Sequence, residues 1–192
     1  MGYSCAGTDC AETTAAMTHI DNAGADLPGT GGSGFCHEAV LYEGDDEFLD
    51  GPLQFVRDGF GAGEATLMAV SLPKMRALRA ELAFDGEPLY FVDIEAVGKN
   101  PACIIPAWAR FVEDHGARGP LRGIGEPIWP GRSADELDEC HRHEALLNTA
   151  FADTATATSP DLWLRCPYDT AALESDVVER ARHTHPFVLE DG

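Results

Sequence analysis

The sequence predicts a three-layer α/β fold, in which helices cover both faces of a doubly wound, mostly parallel five-stranded sheet. Short apolar runs alternate along the chain with helical patterns. Most of these runs are apolar throughout, which is typical of parallel strands buried on both faces. Because strand–helix–strand connections are right-handed, the doubly wound arrangement is expected. The predicted strands are His37–Tyr42, Ala65–Val70, Leu89–Asp93, Leu121–Gly125 and Leu162–Cys166.

The helices are predicted from apolar stripes and from residues that favour helix starts. Pro73 and Pro101 stand at first helical positions, where the missing amide hydrogen costs nothing. Asn100 is a capping residue, and Ser133 with Glu136 has the spacing of a capping box. The predicted helices span about Asp46–Gly61, Pro73–Leu82, Asn100–His115, Ala134–Phe151 and Glu174–His183.

The chain is predicted to consist of one domain with a tail. Residues 1–34 are rich in Gly, Ala, Thr and Asp without sustained periodicity, which predicts a disordered tail that ends in a glycine-rich linker. Residues 35–188 carry the alternating strand and helix patterns and are predicted to form a single domain.

The charge balance excludes two classes of partner. The 192 residues include 33 acidic and 13 basic side chains, for a formal net charge of −20. Nucleic acids and anionic membranes both require a basic surface, so neither is an expected partner. An acidic surface of this kind instead suits a basic protein partner.

The chain is predicted to be cytoplasmic. No apolar run approaches the ~20 residues that span a bilayer. The N-terminus has neither the basic segment nor the apolar core of a secretory signal. Because disulfides are rare without export, the six cysteines are expected to be free thiols.

The most informative segment is Gly119–Asn148, which links a strand to a capped helix. Glu126, Trp129 and Arg132 lie between the strand and the helix, and ligands of open α/β sheets bind at such positions. An arginine beside a helix N-terminus suits an anionic or carbonyl-bearing ligand. Tyr42 ends another predicted strand, Tyr168 comes two residues after the last one, and both are expected at the same rim.

The helix after this loop has a carboxylate on its apolar stripe. The stripe has helical spacing and comprises Leu137, Cys140, Glu144, Leu147 and Phe151. A buried carboxylate must be paired, protonated or functional, because desolvating it alone costs several kcal/mol. Glu144 is therefore either a structural glutamate with a local partner or part of a site.

Metal binding and catalysis are the alternative hypotheses for these residues. Cys140 and Glu144 share a helix face, and His37 on a strand could complete a zinc site, although no spacing matches a known zinc pattern. The competing interpretation is a scatter of core cysteines and surface histidines. An enzyme would be a metal-assisted hydrolase or lyase that uses Glu126 and Glu144 as acid and base.

Nucleotide hydrolysis through a P-loop is not expected. The chain contains no G-x-x-x-x-G-K-[ST] motif. The loop after the first predicted strand, Glu43–Glu47, is acidic and would repel phosphates. ATP is therefore not expected as a cofactor.

Several blocks of sequence, in order, resemble the MEDS domain, a sensory domain named for methanogen, methylotroph and dichloromethane-repressor proteins. They are His37–Tyr42, Phe55-Val56-x-x-Gly59, Gly63-Glu64, Gly123–Trp129, Arg142–Asn148 and Cys166–Asp169. The last three look like the version found in actinobacterial anti-sigma regulators and sensor kinases. The resemblance covers about Phe35 to Pro186.

The resemblance implies a sensory α/β domain, similar to the RecA/KaiC ATPase core but without a P-loop. Relatives usually carry a kinase-like ATPase or DNA-binding domain next to it, whereas this sequence ends at Gly192, which implies output through a separate protein. The residues that would carry the function are His37, Tyr42, Glu126, Trp129, Arg132, His143, Glu144 and Tyr168.

The leading hypothesis is thus a non-catalytic cytoplasmic sensor. It would bind a small molecule near Glu126, Trp129 and Arg132, with Glu144 beneath it, and pass the signal to a sigma-pathway regulator or a kinase-like ATPase. A purely structural dimerisation module, active as a homodimer, is the third hypothesis.

Overall fold

A computed structural model describes residues 34–82, 88–151 and 161–190. Except for Gly34, the predicted tail lies outside these residues. The described part contains a six-stranded sheet in which every neighbouring pair is parallel, in the order β3-β2-β4-β5-β1-β6. The strands are β1 Phe35–Tyr42, β2 Ala65–Val70, β3 Leu89–Asp93, β4 Leu121–Gly125, β5 Leu162–Asp169 and β6 Phe187–Glu190.

The prediction of a parallel sheet covered by helices is confirmed, but five strands is one too few. The sixth strand, β6, pairs in parallel with β1 at the edge of the sheet. It has only four residues, and Phe187 and Leu189 remain exposed. A segment this short and exposed lacks the buried apolar run on which the other predictions depended.

The predicted helices are present, with small differences at their ends. The third consists of a short 3₁₀ turn at Pro101–Cys103 followed by a regular helix, and a further short helix follows β3. The capping box at Ser133 and Glu136 is confirmed. The helices are α1 Gly44–Gly61, α2 Leu72–Leu82, α3 Ile94–Val97, α4 Ile104–His115, α5 Ala134–Ala150 and α6 Ser175–Thr184.

The sheet separates two apolar layers because successive side chains of a strand point to opposite faces. One layer packs against α1 and α2 and includes Tyr42 and Ile124. The other packs against α4, α5 and α6 and includes Ala39, Leu164 and Tyr168. A residue's parity within its strand therefore decides which layer its side chain enters.

The centre of the second layer depends on a tryptophan that lies over two glycines. Trp108 of α4 is buried against β4, where Gly123 and Gly125 leave room for its ring. A Cβ at Gly123 would lie 2.6 Å from Trp108 Cζ3 and 2.9 Å from Leu164 Cδ1. Glycine at this strand position thus permits close packing of α4 on the sheet.

The described residues also bear on the expectations of free thiols and of no membrane span. Cys36, Cys140 and Cys166 carry free thiols, whereas Cys103 is disulfide-bonded, so the prediction of free thiols is wrong at that position. In the described ranges, no helix combines the length and the apolar character that a membrane span requires.

Candidate functional site

Three polar side chains meet at the carboxyl edge of the sheet on the α1/α2 face. Tyr42 ends β1, Glu126 follows β4, and Lys74 comes from the first turns of α2. The Lys74 Nζ donates to the Tyr42 hydroxyl at 2.7 Å and also to Glu126 Oε1. The Tyr42 hydroxyl lies 3.4 Å from the same carboxylate oxygen, to which it donates. We call these three residues the edge cluster.

The edge cluster holds a carboxylate in an environment that disfavours its charge. Glu126 is 4% exposed, and burial raises its pKa above the ordinary value, while Lys74 and Tyr42 act in the opposite direction and Asp169 adds to the increase. The Lys74 ammonium also lies 4.2 Å from the centre of the Phe48 ring, an attractive cation–π position. Because burial and Lys74 shift the Glu126 pKa in opposite directions, a polar group that enters beside the ion pair would change the charge of the carboxylate.

A small apolar cavity, open to solvent, adjoins the edge cluster. Tyr42 and Phe48 form part of its wall, so the same two rings face the cavity and contact Lys74. The other lining residues come from β1, α1, β4 and β5: Val40, Gly51, Pro52, Ile124, Arg165 and Pro167. Mostly apolar walls with a few polar groups at one side are typical of small-molecule sites.

Trp129 and Arg132 lie apart from the edge cluster. The Arg132 guanidinium stacks 3.5 Å from the centre of the Trp129 ring, and its Nη2 donates to the Gly98 carbonyl at 3.0 Å. Burial lowers the pKa of Arg132 from its ordinary value. Trp129 packs against the core layer of α4, α5 and α6, the layer opposite to Tyr42. These contacts fix the loop before α5 on the rest of the fold.

We expect Arg132→Ala to lower the free energy of unfolding by about 2 kcal/mol, because the variant loses a buried charged hydrogen bond and the stacking on Trp129. Urea denaturation of the variant measures the loss. Arg142→Ala, which removes a 73% exposed arginine, is the matched control and should change stability by no more than about 0.5 kcal/mol. Equal effects of the two substitutions would contradict a structural role for Arg132.

A second polar cluster lies on the opposite face of the sheet, around Glu144. The Glu144 side chain of α5 is fully buried, and its Oε2 lies 3.0 Å from His37 Nε2 and 3.0 Å from His185 Nε2. His37 Nε2 also lies 3.3 Å from Cys166 Sγ. We call His37, Glu144, Cys166 and His185 the buried cluster.

Burial and the neighbouring side chains act together on the pKa values in the buried cluster. Burial would by itself raise the pKa of Glu144, but His185 and His37 hold that pKa well below its ordinary value. Burial and the Glu144 charge raise the pKa of Cys166 well above the usual range, and they do the same for Tyr168. The Tyr168 ring meets the His185 ring edge to face at 5.6 Å.

His143 and its neighbour His141 are buried on α5. Burial lowers the pKa of His143 and lowers that of His141 to about 4. Within the described residues, none of their ring nitrogens has a hydrogen-bond partner. Both imidazoles are thus neutral at physiological pH.

The structure divides the predicted site residues among three places. Tyr42 and Glu126 belong to the edge cluster, Trp129 and Arg132 form a separate stack, and Glu144 lies in the buried cluster with Tyr168 beside it. Glu144 therefore does not lie beneath Glu126, because the two carboxylates occupy opposite faces of the sheet and have different partners.

Sequence reasoning missed Lys74, Cys166 and His185. Lys74 was recognisable, since it is one of two lysines and lies in the first turn of the helix after a strand. The metal hypothesis named His37 and Glu144, which do meet, but chose Cys140 as the thiol. Cys140 donates instead to the Pro127 carbonyl at 3.4 Å, and Cys166 occupies the predicted place.

The described fold is an open, all-parallel α/β sheet with polar groups and a cavity at its carboxyl edge, the edge at which sheets of this class commonly hold ligands. Residues 36–186 match the family model MEDS, described as the MEthanogen/methylotroph, DcmR Sensory domain, and the chain belongs to this family of sensory domains. The resemblance seen in the sequence is thereby confirmed. Neither the curated proteins nor the solved structures contain a significant match to the chain.

Proposed function

We propose that the protein is a non-catalytic sensor that binds a small molecule at the edge cluster and the adjoining cavity, and signals through a protein partner. The observation that carries the proposal is the buried Glu126 carboxylate, paired with Lys74 and Tyr42 beside an apolar cavity at the carboxyl edge of the sheet. Membership of a sensory family supports the regulatory role.

The chemistry of the site favours a compact, largely apolar ligand with one polar group. The cavity walls are mainly apolar, and the charges of Lys74 and Glu126 neutralise one another. A hydroxyl, carbonyl or similar group could compete for the Lys74 donor or for the Glu126 acceptor, while the rest of the molecule fills the cavity. The charged residue among the lining residues, Arg165, is paired with Glu38 at 2.9 Å, so a multiply charged ligand would find little compensating charge there.

Ligand binding would be read out through helix α2. Lys74 is the contact of α2 with the edge cluster, and the other two members are fixed at the ends of β1 and β4. A ligand that displaces the ammonium would favour a different position of α2, and it shifts the population toward that position by its difference in affinity. The acidic surface suits a basic partner, in the proposal a sigma-pathway regulator or a kinase-like ATPase.

The first test is native mass spectrometry of the protein purified from its own host without chelator. We expect a retained compound on the wild-type chain. Val40→Phe places an aromatic ring in the cavity wall, so this variant should lose the compound while it still folds, at a cost of about 1–3 kcal/mol for the added volume.

Val188→Phe is the matched control, because Val188 is a half-buried valine on β6, the strand beside β1, and packs against the opposite layer. This variant should keep the compound. A bare wild-type mass, or retention of the compound by Val40→Phe, would contradict binding in the cavity. Glu126→Gln separates the polar contribution, since it keeps the shape of the side chain and removes the charge.

The two-carboxylate hydrolase is not proposed. Glu126 and Glu144 would have to act on one substrate as acid and base, and the sheet lies between them. Without a shared substrate position, the acid–base pair that the hypothesis requires is missing.

A further inference from the structure

The buried cluster brings four metal-binding side chains together from four separate parts of the fold. His37 comes from β1, Cys166 from β5, Glu144 from α5, and His185 follows α6. One potential ligand atom from each residue lies within 4.8 Å of all the others, and all four residues are buried. The set contains two imidazoles, one thiol and one carboxylate, all of which bind zinc in proteins.

Hydrogen bonds to the outer nitrogen of each ring fix which nitrogen faces the centre of the cluster. His185 Nδ1 lies 2.8 Å from the Ala181 carbonyl, which can only accept, so Nδ1 carries the proton. Asn148 Nδ2 donates to the Thr184 carbonyl at 2.7 Å, which turns Asn148 Oδ1 toward His37 Nδ1 at 2.9 Å. His37 Nδ1 is therefore also the protonated nitrogen.

In their neutral forms, both imidazoles therefore direct an Nε2 lone pair into the cluster. Each Nε2 lies 3.0 Å from Glu144 Oε2, which is itself an acceptor. Neither oxygen of Glu144 nor His185 Nε2 makes a hydrogen bond within the described residues. Lone pairs that converge in a dry interior repel one another unless a cation lies between them.

Charge and the number of partnered ligand atoms decide between protons and a metal ion as that cation. Two protonated histidines beside one carboxylate would bury a net positive charge, and a single proton would leave the other lone pair facing Glu144. A divalent ion with one thiolate, one carboxylate and two neutral imidazoles gives a net charge of zero. A single proton would also give a net charge of zero, but the divalent ion adds a partner for every ligand atom of the cluster, which favours it in a buried site.

Three of the six distances between ligand atoms are close to those around a tetrahedral ion, and all six are within 4.8 Å. Zinc bonds of about 2.0–2.3 Å place neighbouring ligand atoms roughly 3.3–3.6 Å apart. The corresponding contacts are 3.0 Å for His37 to Glu144, 3.0 Å for His185 to Glu144 and 3.3 Å for His37 to Cys166. A small separation of Glu144 from the two imidazoles would accommodate the ion.

We propose that His37, Glu144, Cys166 and His185 form a closed, four-ligand Zn²⁺ site that ties β1, β5, α5 and the segment after α6 together. Four protein ligands leave no open position, so the site is structural and not catalytic. Asn148 acts as a positioning residue, because its side chain orients the His37 ring through the outer nitrogen.

The test uses the full chain, purified without chelator and then depleted of metal by a chelator. We expect about one zinc per purified chain by elemental analysis, and a lower melting temperature after depletion that is restored by added Zn²⁺. Co²⁺ in place of zinc should give the intense visible bands of tetrahedral coordination and a near-ultraviolet thiolate-to-cobalt charge-transfer band from Cys166. A metal-free purified chain that also gives no such bands with Co²⁺ overturns the proposal.

Matched variants assign the site. Cys166→Ser should lose the charge-transfer band and bind Co²⁺ more than about 10-fold more weakly, and Asn148→Ala should weaken binding by about 10- to 100-fold with the band retained. Cys140→Ser, a buried thiol on α5 outside the cluster, should bind Co²⁺ like the wild type. An unchanged cobalt spectrum in Cys166→Ser overturns the assignment. If that variant does not fold, the wild-type charge-transfer band still decides whether a thiolate binds.

Discussion

Replacing Trp108 by alanine is expected to lower the free energy of unfolding by about 3–5 kcal/mol, the range for a large aromatic side chain removed from a core. Trp108 is 2% exposed and fills the space above Gly123 and Gly125 in the centre of the sheet. The substitution would leave an empty space between α4 and β4, and this space adds to the cost of the lost burial. Urea denaturation of the variant and the wild type measures the loss.

Gly123→Ala tests the same contact from the strand side. Its new Cβ would approach Trp108 Cζ3 and Leu164 Cδ1, which should cost about 1–3 kcal/mol. In the Trp108→Ala background the added methyl group enters the cavity, so the double variant should lose less than the sum of the two single losses. Strictly additive losses would mean that the two residues do not contact one another in solution.

The second large effect is expected at the edge cluster. Lys74→Met removes the cation that faces a buried carboxylate and leaves Glu126 without its ionic partner. Loss of one partner of a buried pair costs about 3–5 kcal/mol, and the 20% exposure of the Lys74 side chain places the expected loss near 3 kcal/mol at neutral pH. Lys99→Met, at an exposed position, is the matched control and should be nearly neutral.

The loss in Lys74→Met should depend on pH. Burial already raises the pKa of Glu126, and removal of Lys74 takes away the largest influence that lowers it. The folded variant then holds its carboxyl proton to higher pH than the unfolded chain does. Its stability therefore falls as the pH rises through the folded pKa and recovers as the pH falls toward the unfolded pKa.

Unfolding free energies at a series of pH values test this sign. Lys74→Met should gain stability relative to the wild type as the pH decreases from neutral, and the Lys74→Met/Glu126→Gln double variant should lose most of that pH dependence. A pH-independent deficit in Lys74→Met would mean that Glu126 is not the group left uncompensated.

The fold was predictable because its signals are local. The capping box at Ser133 and the apolar runs of β2 and β4 each identify their element within a few neighbouring residues. β6 was missed because it is stabilised by its pairing with β1 rather than by its own four residues. A local pattern cannot reveal an element whose stability comes from a distant partner.

The candidate site was predictable only in part, for the same physical reason. Glu144 was recognised as a carboxylate that needs a partner, because it interrupts an apolar helical stripe, and the structure supplies His37 and His185. The identity of those partners could not be derived, since His37 and Cys166 are 129 residues apart and no spacing rule connects them. The edge cluster likewise joins Tyr42, Lys74 and Glu126 across three elements.

The position of β1 in the sheet has a consequence for the synthesis of the protein. β1 is the first strand of the described chain to be made, yet both of its neighbours, β5 and β6, are among the last. While the intervening residues are being translated, the β1 backbone has no strand partner and its apolar side chains have no finished layer to enter. This half of the sheet can therefore be completed only after β6 has been translated, and until β5 is available the unpaired β1 is exposed to aggregation.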